Sequence, residues 1–203
     1  MADAVLVGSA PRTRLRHTLL ALGVGLLAVV LSPPFHHAAD RSLLSHMVQH
    51  LVLMTVAPPL IVVGAHLRTP SRRHLGPIVL LHSVALLAWH TPALYDAAVR
   101  STPVHAAEHA TLLMAGVVLW RALGIADGQI SAGSVLALFA AAVPGTVLGL
   151  AMTVANHPWY TRYPDLIQQQ LAGVVMWGPA GTAYALAGGA LVVGWIRAEE
   201  QAA

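Results

Sequence analysis

Six apolar stretches, at about 17–33, 43–64, 76–98, 104–123, 131–154 and 166–196, run through this chain with only short segments between them. Each is near the roughly 20 residues that a helix needs to cross a bilayer. Lipid offers no partner to a backbone polar group, so runs of this kind cross as helices whose hydrogen bonds close internally. The expected fold is an all-α, polytopic integral membrane bundle of about six transmembrane helices, forming one domain over residues 1–203. Composition agrees: 57% of residues are hydrophobic and 9% charged, whereas soluble domains carry about a quarter charged residues. An ordinary soluble enzyme and a disordered chain are both excluded.

Charge placement gives the orientation. There are 11 arginines, no lysine and a formal charge of +3. With the N-terminus inside, the inner segments hold Arg12, Arg14, Arg16, Arg68, Arg72, Arg73, Arg121 and Arg197, and the outer segments hold Arg41, Arg100 and Arg162. That excess fits the positive-inside rule, so both termini are expected in the cytoplasm. No arginines cluster beside aromatic residues, which argues against nucleic acid as a partner. The basic start and short first apolar run also resemble a signal peptide. Pro33-Pro34-Phe35-His36-His37 offers no small-residue cleavage site, so an uncleaved first span is preferred. Pro58, Pro59, Pro92, Pro144 and Pro179 fall inside spans, and the long last span is expected to tilt or kink at Pro179. Gly145 and Gly149 read as a close helix-packing pair.

The chain has no cysteine and 12 histidines, which removes disulfides and thiolate sites and leaves imidazole as the notable donor. The topology brings five histidines to the outer leaflet from three spans. His46 and His50 open the second, His90 lies near the end of the third, and His105 and His109 open the fourth with Glu108 between them. Residues four apart share a helix face, about 6 Å apart, so His46 pairs with His50 and His105 with His109, and Met54 extends the first stripe. Imidazole suits copper, zinc, iron or nickel, and thioether selects Cu(I). Ionisable groups inside a membrane are costly and usually mark a site. Glu108 is a ligand, a member of a buried ion pair or, ranked first, a neighbour that fixes a histidine tautomer. Elsewhere the plainer readings hold. His82 is expected in an interhelical hydrogen bond, and His36 and His37 in a solvated outer loop, with metal capture the lesser alternative. Met47, Met114, Met152 and Met176 read as packing.

Four motifs carry a resemblance: Ser45-His-Met-Val-Gln-His50 followed by Ala57-Pro-Pro59; Trp89-His-Thr-Pro-Ala-Leu-Tyr-Asp96; His105-Ala-Ala-Glu-His109 leading to Trp120; and Gln169-Gln-Leu-Ala-Gly173 with Met176-Trp177. Together, from about Ser45 to Pro179, they resemble the CtaG family of cytochrome c oxidase assembly factors. The resemblance implies a protein of the bacterial plasma membrane that binds copper, as Cu(I), and helps it reach the Cu-B centre of oxidase subunit I. The metal site would face the extracytoplasmic side. The positions it carries over are His46, His50, His90, His105 and His109, with Glu108 beside them; Met54 joins them from the spacing. An extracytoplasmic copper donor is an implied partner, and a homo-oligomer is left open. Gln168 stands where the family often has an acidic residue, and six spans stand where members often have seven.

Other chemistries use similar residues. An intramembrane zinc hydrolase would use histidines around a metal-bound water, with Glu108 or Asp96 as base. A membrane cytochrome would hold haem between His50 and His109. A copper permease would share the same donors.

Overall fold

The computed structural model describes residues 9–70 and 74–202. The arginines at 72 and 73 used for the orientation lie outside them. Among the described residues there is no strand. The elements are α1 (Ser9–Val30), α2 (Pro33–Ala39), α3 (Leu43–Gly64), α4 (Leu75–Trp89), α5 (Pro92–Arg100), α6 (Thr102–Ala122), α7 (Ala132–Val154) and α8 (Leu166–Ala202). Among these residues four helices, α1, α3, α7 and α8, are long and apolar enough to cross a membrane, or five crossings if the bent pair α4 and α5 is one span. The expected span at 104–123 corresponds to α6. It has 21 residues, but His105, Glu108, His109 and Arg121 lower its hydropathy.

Local chemistry sets the boundaries. Ser42 and Ser131 cap α3 and α7, their hydroxyls accepting the N–H of Ser45 and Ser134, as N-cap residues do. Prolines occupy the first turn of α2, α5 and α6, where a missing N–H costs nothing. Residues 33–39 are therefore helix α2 and not the expected outer loop. The expected span 76–98 is not one straight helix: α4 stops at Trp89 and α5 leaves at 70°. Thr91 precedes Pro92 and is held extended at ψ 138°, since proline disfavours helical geometry in the residue before it. The long last span, expected to tilt or kink at Pro179, is one continuous helix of 37 residues with that proline inside it.

Helix α3 is the axis of the bundle. Most of it is buried, whereas α1 and α7 are mostly exposed, and α1, α6 and α8 pack around it. Its middle, Val52–Val56, is a π-helical turn. The cause follows at Pro58 and Pro59. A proline ring clashes with the carbonyl four residues back, and a wider turn relieves that. Met54's carbonyl then has no helical donor, because both Pro58 and Pro59 lack an N–H. Trp120 of α6 supplies one, its Nε1–H donating to Met54 O at 3.1 Å. Helix α6 comes this close because of Gly116, where a Cβ would lie 2.8 Å from the same oxygen. Of the expected pair only Gly149 packs closely on another backbone, that of Gly173 in α8; Gly145 faces the Leu86 side chain of α4 at ordinary contact distance. Leu80, Leu136, Val147 and Leu186 point outward, as lipid-facing side chains do.

The end of the bundle away from the histidines is tied by loops. Arg121 donates to Arg68 O at 2.7 Å, and Asp127 accepts from both the N–H and the hydroxyl of Thr69. Slight burial pushes the Asp127 carboxyl up, but hydrogen bonds from Thr69 outweigh it and hold it below the usual carboxylate range.

Candidate metal centre

Two helices supply the centre. His46 and His50 stand one turn apart on α3, rings 4.5 Å apart, and the opening turns of α6 present His105, Glu108 and His109. The rings of His105 and His109 lie 4.1 Å apart. Between the helices the pairs interlock, His46 lying 5.1 Å from His105 and 5.9 Å from His109. Glu108 is fully buried at the middle. Its Oε2 lies 3.6 Å from His46 Nε2 and 3.8 Å from His105 Nε2, and its Oε1 lies 3.6 Å from His50 Nε2. These separations are too long for hydrogen bonds. Donor atoms of His46, His50, Glu108 and His109 all lie within 4.8 Å of one another.

Six buried atoms here have no hydrogen-bond partner: Nε2 of His46, His50, His105 and His109, and both carboxylate oxygens of Glu108. A buried polar atom left unpaired costs about 1–3 kcal/mol, and native interiors hold only a few per hundred residues. Six at one point is a donor set facing inward on a common centre.

His90 explains part of this arrangement. Its Nδ1 lies 2.7 Å from Leu86 O, and a carbonyl only accepts, so Nδ1 carries the proton. In a neutral ring Nε2 is then an acceptor, and it faces His50 Nδ1 at 3.4 Å. His50 therefore donates from Nδ1 and turns the lone pair of Nε2 toward Glu108. Two acceptors thus face each other at 3.6 Å, an arrangement suited to a cation between them. His90 lies behind His50, outside the four-donor group. Orienting a ligating imidazole through its other nitrogen is a common device.

Met54 lies one turn beyond His50 on α3, with the wide turn that begins at Val52 between them. Met54 lines, with His50, Met47 and Met176, a small cavity of about 50 Å³. His82 meets the Tyr184 hydroxyl across α4 and α8 at 3.3 Å, as its expected role requires.

Tyr95, Tyr160 and Tyr163 take places that the sequence reading did not assign them, beside Asp96, read as a candidate base, and Gln169, read within a motif. Tyr95 of α5 is fully buried, its ring 4.9 Å from His46 and 4.1 Å from Tyr160. Tyr160 donates to His90 O at 3.0 Å, and Tyr163 to Ala39 O at 2.7 Å. Burial raises the pKa of both these loop hydroxyls. Asp96 accepts from the Thr161 hydroxyl at 2.7 Å. Gln169 clamps the same loop, accepting from Trp159 N at 2.6 Å and donating to His157 O at 3.2 Å. The Trp-His-Thr-Pro-Ala-Leu-Tyr-Asp run was the available signal for Tyr95 and Asp96. His36 is a further departure: on α2, it lies 4.9 Å from the His105 ring.

The profile of the family described as cytochrome c oxidase caa3 assembly factor matches residues 5–198. No curated protein and no solved structure matches the chain.

Proposed function

The chain belongs to the family of cytochrome c oxidase caa3 assembly factors, and from that premise we propose that it carries copper, as Cu(I), toward the Cu-B centre of oxidase subunit I. One observation supports this above the others: six unpartnered donor atoms converge between α3 and α6. His46, His50, His109 and Glu108 are the ligands in this reading. His105 reaches Glu108 from the open side, His90 sets the tautomer of His50, and Met54 offers a thioether from the adjoining cavity. Imidazole and thioether suit Cu(I), and a cargo ion needs donors that can let it go.

The same reading places six crossings in the bilayer, with α4 and α5 as one bent span and α6 turning its polar face to α3. Both termini are cytoplasmic, and the donors open to the extracytoplasmic side of the plasma membrane, within reach of a copper donor there.

The test is bound metal. The chain is purified in detergent without a His tag, and mass spectrometry and absorption compare it with a variant carrying Ala at His46, His50, His105 and His109. Copper near one per chain, lost in the variant, is expected. Zinc would move the assignment to a hydrolase and a Soret band to a cytochrome. No metal after loading with Cu(I) would end the copper reading.

A further inference from the structure

The donor set is not sealed. A cleft of about 410 Å³ runs between α2 and α6 and ends on His105 and His109. His36 stands at its mouth, and its side chain is 38% exposed. One turn on, Asp40 places Oδ2 3.7 Å from His36 Nε2. That is beyond a hydrogen bond, yet within the span of two donors sharing one ion at ligand distances of about 2.0–2.2 Å. Inward, the His36 ring lies 4.9 Å from the His105 ring, tilted by 30°. His105 is 5% exposed, and its Nε2 has no partner. His105 therefore faces the cleft on one side and Glu108 on the other. The donors form a graded series: His36 and Asp40 half-exposed, His105 buried at the cleft wall, then Glu108, His46 and His50.

We infer that His36 and Asp40 form a loading site at the mouth of this cleft, where copper binds first and from which His105 passes it to the buried donors. This rests on the copper reading above and adds its entry route. Transfer is ligand exchange alone. An incoming imidazole replaces an outgoing one and the ion keeps its oxidation state, so no oxidant or reductant is required. The carboxylate at the mouth attracts a cation, and His105 spares the ion from crossing the apolar wall of Leu31 and Leu53 without a donor. His37 sits on the same short helix but is exposed, its ring 6.3 Å from that of His36, and belongs to no part of the path.

The experiment reads loading kinetics on the full chain in detergent. Cu(I) is offered as a coloured chelator complex and the loss of colour is followed. In a His36→Ala, Asp40→Asn variant, loading is expected to slow about tenfold, the low end of what a charged cleft contributes to capture. The final copper per chain stays that of the parent, because the buried donors are intact. His37→Ala loads at the parental rate. Loading of the double variant at the parental rate overturns the inference, as does complete loss of its bound copper, which would make His36 part of the retaining site. Absence of copper in the parent removes the copper reading itself, and the entry route with it. Thermal midpoints of the variants, expected to match the parent because both side chains are partly solvated, separate slow loading from poor folding.

Discussion

Trp120 serves a carbonyl that two prolines leave without a donor, and that makes its contribution measurable. Trp120→Phe keeps an aromatic ring against α3 but deletes the indole N–H that reaches Met54 O. Interhelical hydrogen bonds in membranes average about 0.6 kcal/mol and reach about 1.7. An orphaned buried carbonyl costs about 1–3 kcal/mol. Here the acceptor has no alternative along its own helix, so the loss is expected at about 1–2 kcal/mol. For a chain of this size each kcal/mol moves the midpoint by about 2–4 °C. The decisive form is a double-mutant cycle with Pro58→Ala. That change returns an N–H to the position four residues after Met54, so Trp120→Phe should cost less in its presence. A coupling of about 0.6–1.7 kcal/mol is expected by thermal unfolding in detergent. If Trp120→Phe costs the same with Pro or Ala at position 58, the carbonyl is not what Trp120 serves, and the explanation of the wide turn fails with it.

Three further outcomes follow from the same geometry. Gly116→Ala sets a methyl against backbone atoms of α3 that cannot yield, so a loss of about 1–3 kcal/mol and weakened copper retention are expected by thermal unfolding and metal analysis. His90→Ala should lower Cu(I) affinity about 10–100-fold while saturating copper still gives the parental stoichiometry; an unchanged affinity in chelator competition would remove its orienting role. Stripping copper should lower the thermal midpoint, because an ion at a hundred times its Kd stabilises the folded chain by about 2.7 kcal/mol, and an identical midpoint with and without copper would contradict a site in the folded state.

How much of this was legible in the sequence depended on distance along the chain. The pairs His46–His50 and His105–His109 follow from helical spacing alone, and the structure brings both to one place. Met54 shares that spacing, and what the sequence could not show is that Pro58-Pro59 widen the turn between it and His50 while both still line one cavity. Pro-Pro at 33–34 reads as loop, yet Ser32 followed by prolines is also a helix start; that signal would have put His36 on a helix rather than in solvent. The bend at Thr91-Pro92 was likewise marked by a proline counted as tolerated within a span. Tyr95, Tyr160 and Gln49 meet their partners through tertiary packing, Gln49 donating to Val30 O at 2.6 Å, and no local pattern encodes such contacts.

Two of the four grouped donors sit on α3 and two on α6, and the chain between them first has to make α4 and α5. During synthesis α3 therefore enters the membrane with half a site, and nothing in it can retain an ion until residues 102–122 have followed and docked at Gly116 and Trp120. A chain stalled, truncated or misinserted before that point lacks the four grouped donors, even though His36 and Asp40 are already made. On the proposed copper reading, occupancy of the four grouped donors marks a finished bundle, and a partner that recognises only the loaded form would never engage an unfinished one.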